Sequence, residues 1–292
     1  MIRIEIGRRN YLLYLLLPHR LKSRLLTPAS RAKLDRINRA FNETIYSGAG
    51  ATGYDRIHRY AEDEQHEYPA RPLVARVWPE GGYGRALEVG AGSGYFTTVI
   101  ARHARHVIAL EPVADLQEVL KARCRAEAVD NVEVLGVPAA DLLAVVPAAS
   151  VDTAFIIQSL HHLHDRERVF EVLGRVVRPG GRLLMVEPHH NLRRAARLFR
   201  KYLGVYRARA WWSDERNWAT HDFLTRGELR ALCRIGGFAP PRFSGYWIPY
   251  SRRLIQDPDR RFHVEGRIGR WPVFRHWAAV LAVEARRRSG GG

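Results

Sequence analysis

Between residues 85 and 285 the chain sets short, almost wholly apolar runs between longer stretches in which apolar residues return every three or four positions. The first pattern belongs to strands covered on both faces and the second to amphipathic helices. Strands are expected at 85–89, 106–111, 131–135, 151–158 and 182–187, with helical stretches between them. Strands that alternate with helices make an α/β fold with a parallel sheet, because a parallel neighbour needs a crossover long enough to hold a helix. A ligand of such a sheet lies outside the carboxyl ends of the strands, and Glu88, Glu111, Gln158 and Glu187 stand at those ends.

The flanks carry weaker patterns. From 30 to 69 the chain is polar, with Leu34, Ile37, Ala40 and Phe41 at helix spacing; Ser47-Gly48-Ala49-Gly50-Ala51-Thr52-Gly53 breaks it, and Tyr54, Ile57 and Tyr60 resume a short helix. Thr225-Arg226-Gly227-Glu228 is a capping box that opens a last core helix, closed by Gly236-Gly237. The aromatic stretch 238–250 fits a sixth strand and a loop, and 276–285 fits a final strand. Residues 286–292 read as a loose tail.

Chemistry enters at Arg85-Ala86-Leu87-Glu88-Val89-Gly90-Ala91-Gly92-Ser93-Gly94-Tyr95, where an apolar run ends in an acid and three glycines alternate with small residues. A dinucleotide fingerprint needs Gly-x-Gly-x-x-Gly, but here the third glycine falls one position early, and no phosphate loop of the Gly-x-x-x-x-Gly-Lys type is present. Val107 to Glu111 is a second apolar run ending in an acid, about twenty residues on, where α/β nucleotide sites place a carboxylate for ribose hydroxyls. The pair suggests a nucleoside ligand without a pyrophosphate.

Those residues resemble motif I and the following acidic strand end of class I S-adenosylmethionine-dependent methyltransferases. Val151 to Leu163, ending Gln158-Ser159-Leu160-His161-His162-Leu163, resembles the fourth-strand motif of the small-molecule group typified by ubiquinone and menaquinone methyltransferases, and Leu173 to Leu183, with Arg178-Pro179-Gly180-Gly181, resembles that group's helix, turn and fifth strand. The resemblance spans about residues 71–238 and implies a Rossmann-like, seven-stranded, mostly parallel sheet with helices on both faces and a final antiparallel strand at the sheet edge. It implies a domain at 71–285, a helical cap at 1–70, and a lid insertion at 188–222. S-adenosyl-L-methionine would be held by Glu88, Gly90, Ala91, Gly92, Gly94, Glu111, Pro112 and Gln158. The family's Gly-Asp-Ala after strand three is replaced by Gly136-Val137-Pro138-Ala139-Ala140-Asp141, so Asp141 either meets the adenine amino group from a shifted position or caps a helix.

In such enzymes an acceptor atom attacks the sulfonium methyl in line, and the protein chiefly holds the two in register. A hydroxyl acceptor also needs a base, for which histidine near neutral pH is suited. His161 and His162 follow strand four, and His189 and His190 follow strand five; His162 and His189 lead as catalytic candidates, with His161 after them and His190 toward substrate. Tyr54, Trp211, Trp212 and Trp218 are candidate walls of an apolar acceptor pocket. No metal is expected, since adjacent imidazoles suit ligation poorly and no partner cluster accompanies them.

Composition narrows the partners. A net charge of +17 is almost all arginine, the lysines being Lys22, Lys33, Lys121 and Lys201, and either genome composition or an anionic partner accounts for it. Tyr11 to Leu17 is far shorter than the ~20 residues that span a bilayer. Flanked by arginines and closed by Pro18, it reads as an interfacial segment or a packed helix rather than a signal peptide. Leu192 to Leu203 is a basic amphipathic helix. Cys124 and Cys233 fall in helical stretches outside any ligand cluster. These features place the protein in the cytoplasm, with peripheral contact at an anionic inner membrane face as an extension. A small-molecule or lipid acceptor, with O-methylation slightly favoured, is the leading reading. A nucleic-acid methyltransferase fits less well, because its strand-four Asn/Asp-Pro-Pro-aromatic signature is absent. A non-catalytic cofactor-binding scaffold is the third. The pattern does not set the oligomeric state.

Overall fold

The computed structural model describes residues 46–53, 73, 74, 78, 82–163, 165–196 and 224–289, together with Ala29, Ala32 and Arg36. In chain order the elements are β1 (Arg85–Val89), α1 (Thr97–Ala101), β2 (His106–Leu110), α2 (Ala114–Ala126), β3 (Val132–Leu135), a 3-10 turn (Ala139–Ala144), β4 (Val151–Ile157), a second 3-10 turn (Leu160–His162), α3 (Arg166–Val176) and β5 (Val177–Pro188). Then come α4 (Arg226–Ile235), β6 (Arg242–Tyr246), α5 (Ser251–Leu254), α6 (Pro258–Ile268), α7 (Pro272–Trp277) and β7 (Val280–Arg286).

The strands form one sheet in the order β3-β2-β1-β4-β5-β7-β6. β1 to β5 pair in parallel, while β7 runs antiparallel to both β5 and β6. The Rossmann-like architecture implied by the sequence is therefore present, with one correction. The final strand is not at the edge: it inserts between β5 and β6, so β6 forms the edge. It also starts later than 276, because Pro272 begins a short helix that includes His276 and Trp277. At its other end Arg286 still pairs with Arg182, and the Arg287 side chain donates to Gly174 O and Gly237 O, so the chain is held past 285.

Alternation along each strand sorts side chains to two faces, since successive residues of a strand point to opposite sides. Leu87, Val89, Ile108, Ala154, Ile156, Leu183 and Met185 join one core with Phe170 and Leu173 of α3 and Leu229 and Leu232 of α4. Ala86, Val107, Phe155, Ile157, Leu184 and Val186 join the other with Val99 and Ile100 of α1 and Phe262 of α6. The apolar runs carry no polar face because neither face meets water. The capping box is present in full: Glu228 N–H donates to Thr225 Oγ1 at 3.2 Å and Thr225 N–H to Glu228 Oε2 at 2.6 Å. The Pro179-Gly180-Gly181 stretch is not a free turn but part of β5, with Gly180 N–H bonded to Arg287 O and Arg287 N–H to Gly181 O.

The topology reverses between β1 and β4, whose neighbours lie on opposite sides and whose carboxyl ends open side by side. A crevice at that switch is where an open α/β sheet takes its ligand.

Candidate active site

The glycine turn leaves β1 directly into this crevice. Gly90, Gly92 and Gly94 all have positive φ, at 73°, 57° and 79°. Gly90 is further constrained by β4, since a Cβ there would lie 2.6 Å from Ser159 Cβ. Ser159 Oγ in turn donates to Val89 O at 2.6 Å, which locks the end of β1 to the turn after β4. Gln158, immediately before it, is a non-glycine residue with φ of 52°, a sparsely populated conformation of the kind that concentrates at functional sites.

Two buried carboxylates flank the turn. Glu88 accepts from Thr97 Oγ1 at 2.6 Å, and its pKa is pushed up to about 8 by burial, against the Thr97 hydrogen bond and with the charge of Glu111 adding to it. Glu111 follows β2; its Oε2 accepts from Gly92 N–H at 2.8 Å and its Oε1 from Val113 N–H at 3.0 Å. Burial raises its pKa as well, with those two N–H groups opposing. Each Glu111 oxygen keeps a second lone pair, the acceptor set to which a pair of vicinal ribose hydroxyls donates. Ser93 Oγ, inside the turn, is buried with no hydrogen-bond partner among the described residues. The crevice therefore fits a polar nucleoside.

Residues ahead of the core close over it. The Tyr46 phenol is pushed up to about 12 by burial, with the charge of Glu111 contributing, which puts the two groups near each other. Gly48 N–H donates to Asp115 Oδ2 at 2.6 Å in the first turn of α2. The Tyr46 ring meets His162 edge-on, with centroids 6.1 Å apart. His162 lies against His161, centroids 4.2 Å apart, and His161 Nδ1 is 3.0 Å from Glu187 Oε2. Glu187 Oε1 accepts the Ser159 and Leu160 N–H groups, both at 2.8 Å. Burial drives Glu187 upward, opposed by those backbone donors and by the charge of Arg166. Arg166 itself donates to the carbonyls of Leu160 and His161, fixing the turn that carries both imidazoles. A line of groups thus runs from Glu187 through His161 and His162 to Tyr46.

The other sequence candidates scatter. His189 is buried and turned toward the entry of β7, with Nδ1 3.2 Å from Ala278 O; burial pushes its pKa down to about 3. His190 is buried and its N–H bonds Leu224 O. Asp141 is exposed in the first turn of its 3-10 segment, whose N-cap is Pro138, so it does not act as the cap. Ala91 is buried in the turn and Pro112 is exposed beyond Glu111. Tyr54, Trp211, Trp212 and Trp218 lie outside the described residues, as do the 11–17 segment and most of 192–203. Sequence reading missed Tyr46, Thr97, Asp115 and the pairing of Glu187 with His161. Only Tyr46 had a usable signal, an aromatic residue placed directly before the glycine-rich break.

Residues 87–185 match a family described as a methyltransferase domain. An uncharacterised methyltransferase of Mycobacterium tuberculosis is 34% identical over 106 residues, covering 35% of this chain and 39% of that protein. An S-adenosyl-L-methionine-dependent Diels-Alderase of Talaromyces variabilis is 30% identical over 157 residues, 50% of this chain and 51% of that one. The chain thus covers about half or less of the length of these relatives. Among solved structures, a Haemonchus contortus phosphoethanolamine N-methyltransferase in complex with S-adenosyl-L-methionine matches with a TM-score of 0.58 at 14% identity, over 87% of this chain and 60% of that one. The [4+2]-cyclase SpnF matches with a TM-score of 0.50 at 18% identity, over 76% and 81% of the two chains.

Proposed function

We propose that this chain, whose residues 87–185 match a methyltransferase domain family, is an S-adenosylmethionine-dependent methyltransferase that passes the methyl group in line to a small-molecule or lipid-like acceptor, with a hydroxyl oxygen the favoured target. The observation that carries the reading is the Glu111 carboxylate, tied by Gly92 N–H to the glycine turn at the topological switch and presenting acceptor lone pairs to a ribose. S-adenosylmethionine, when bound there, supplies an electrophilic sulfonium methyl. Glu88, Glu111 and the positive-φ glycine turn hold the donor, and Tyr46 closes the side of the crevice beside Glu111. His162, half-buried where His161 and Tyr46 meet, takes the proton of a hydroxyl acceptor. His161 and Glu187 are positioning residues: Glu187 holds the buried His161, and His161 packs against the His162 ring.

Calorimetric titration with S-adenosylhomocysteine tests the cofactor half. Wild type should bind in the micromolar range and Glu111→Ala should bind at least about tenfold more weakly, the loss expected for charge-assisted hydrogen bonds. Well-folded wild type that gives no heat refutes the reading. A His162→Gln protein should keep that affinity while losing turnover.

The Talaromyces relative supports a second reading, a cyclase that holds the same cofactor without spending it. Labelled methyl donor separates the two: the transferase releases S-adenosylhomocysteine in step with product, and the cyclase releases none.

A further inference from the structure

Large apolar side chains are exposed chiefly in one part of the surface. Among the described residues eight are, and five of these, Tyr250, Leu254, Trp271, Val273 and Trp277, fall between 250 and 277. Tyr250 is 71% exposed, Leu254 82%, Trp271 64% and Val273 66%. They lie together: Tyr250, Arg253, Val273, Phe274 and Trp277 line one depression, open to solvent, at the carboxyl ends of β5 and β6. Leu254 follows Arg253, and the Trp271 ring centroid is 6.2 Å from that of Phe274. A sixth exposed residue, Leu192, precedes Arg193, which donates to Trp247 O and Trp277 O. An apolar cluster of this kind on a surface marks a contact with a protein or a membrane.

Two short helices carry the cluster, and neither uses its apolar residues for the core. α7 buries none of its residues and α5 buries only Ser251. Four-residue spacing puts Val273 and Trp277 on one face of α7, and Leu254 N–H bonds Tyr250 O, which aligns that pair in the same way. The loop ahead of α5 is held in a strained form. Trp247 and Tyr250 have φ of 55° and 65°, a region bulky side chains rarely occupy. The fully buried Glu265 of α6 accepts the Trp247 and Ile248 N–H groups at 3.0 Å each and the Ser251 hydroxyl. A buried carboxylate thus fixes the loop from behind while the Tyr250 and Leu254 side chains stay outside.

We propose that this surface docks on an anionic lipid bilayer, with Leu254, Trp271, Val273 and Trp277 entering the headgroup boundary. The charge argument rests on net charge, which pairing inside the chain cannot change. The whole chain carries +17, and residues 247–277 hold seven arginines against three carboxylates, of which Glu265 is buried. Arg253 lines the depression and Arg270 adjoins Trp271, both exposed. Each arginine close to an anionic bilayer strengthens attachment about fivefold. Apolarity selects a bilayer over a nucleic acid: a phosphate backbone meets arginines but gives Leu254 and Val273 nothing to bury against, whereas tryptophan, tyrosine and leucine beside arginine make an interfacial surface. A second copy would bring together two surfaces of the same sign. Among the described residues no helix is long and apolar enough to cross a membrane, and this contact needs none. The proposal does not depend on the methyltransferase reading.

Co-sedimentation of the full chain with vesicles of phosphatidylcholine alone, and of phosphatidylcholine with an equal part of phosphatidylglycerol, tests it. The anionic vesicles should bind at least about tenfold more tightly than the neutral ones. Leu254→Ser/Val273→Ser should weaken that binding at least about tenfold and Arg253→Ala about fivefold, while Val145→Ser, at an exposed apolar residue elsewhere, leaves it unchanged. All of these side chains are exposed, and equal urea midpoints check that the variants stay folded. Trp271→Phe/Trp277→Phe keeps the surface apolar and should reduce the quenching of tryptophan fluorescence by brominated acyl chains. No vesicle binding by protein that binds S-adenosylhomocysteine overturns the proposal and leaves the transferase reading standing; absence of both removes both. Equal binding to neutral vesicles overturns the anionic assignment. Vesicle binding that ignores the Leu254 and Val273 pair, or quenching that ignores the two tryptophans, places the contact on another surface and overturns the proposal. Protein that ignores vesicles but loses binding to a single-stranded oligonucleotide in the same variants, or forms a dimer that they dissolve, assigns the surface to nucleic acid or to a second copy; either result overturns it.

Discussion

His189 offers the sharpest separation between a catalytic and a structural histidine. It is 3% exposed, with Nδ1 facing Ala278 O, and burial lowers its pKa from 6.5 to about 3, with the charge of Arg226 adding to the fall and the Ala278 hydrogen bond resisting it. A group whose folded pKa is depressed in this way stays neutral in the native state while the unfolded chain takes up a proton. Its contribution to stability is complete above about pH 6.5 and is lost as the pH falls toward 3. Between about pH 7.5 and pH 5 that loss amounts to about 2 kcal/mol, one and a half decades of proton affinity at ~1.4 kcal/mol each.

His189→Asn keeps an amide donor facing the carbonyl and removes the titration. Losing the ring costs about 1–3 kcal/mol at every pH, so the diagnostic is the slope rather than the offset. Urea unfolding of both proteins across this range should find the wild-type advantage shrinking by about 2 kcal/mol toward pH 5. Every other histidine is common to the two chains and cancels. A constant difference would refute the reasoning, because His189 would then protonate as readily folded as unfolded and would return to the list of bases. An imidazole that stays neutral to about pH 3 is a poor proton acceptor at neutral pH, so confirmation removes it.

Glu88, with its pKa near 8, should be largely protonated in the free protein at pH 7, and a cationic methyl donor bound beside it favours the ionised form. Titration of S-adenosylmethionine at pH 7 in buffers of different ionisation enthalpy should therefore report proton release, and affinity should rise as the pH approaches 8; heats independent of buffer count against a Glu88 contact. Gly90→Ala must place a side chain at φ of 73° and 2.6 Å from Ser159 Cβ, so it should cost about 1–3 kcal/mol in denaturant melts and weaken S-adenosylhomocysteine binding together with it. Glu187→Gln can keep an oxygen on the Ser159 and Leu160 amides only by turning its NH2 toward His161 Nδ1, which moves that ring's proton to Nε2. Nitrogen chemical shifts of His161 should report the tautomer change while the fold persists; an unchanged tautomer would mean that Glu187 does not orient the ring.

The core strands were readable because each is buried on both faces and so written as an uninterrupted apolar run; 85–89 was placed to the residue. The position of β7 was not readable in the same way. Val280 to Ala285 is equally apolar whether the strand sits at an edge or inside the sheet, and only its double pairing with Met185 and Phe243 through Val283 distinguishes the two. α5 and α7 leave no signal in the sequence because they are short and apolar residues of theirs face outward, as Leu254 and Val273 do, while α6 buries Phe262 beside the charged Arg261 and Glu265, which interrupt any apolar stripe.

The same contrast divides the site. Its cofactor half is local: Gly90 to Gly94 and Glu111 lie within two adjacent βα units, so the turn and the carboxylate that receives Gly92 N–H are about twenty residues apart in sequence and keep a recognisable spacing. The contacts around the proposed catalytic histidine and the neighbouring strand ends are assembled across the chain. Tyr46 reaches His162, Glu187 reaches back to the Ser159 amide, and Glu265 shapes the Trp247 loop from another helix. Each of these contacts depends on which strands become neighbours, and the order β4-β5-β7-β6 brings the ends of three distant segments to one rim. A local motif is enough to name the donor, whereas contacts made between the ends of separate strands become legible only once the order of the sheet is known.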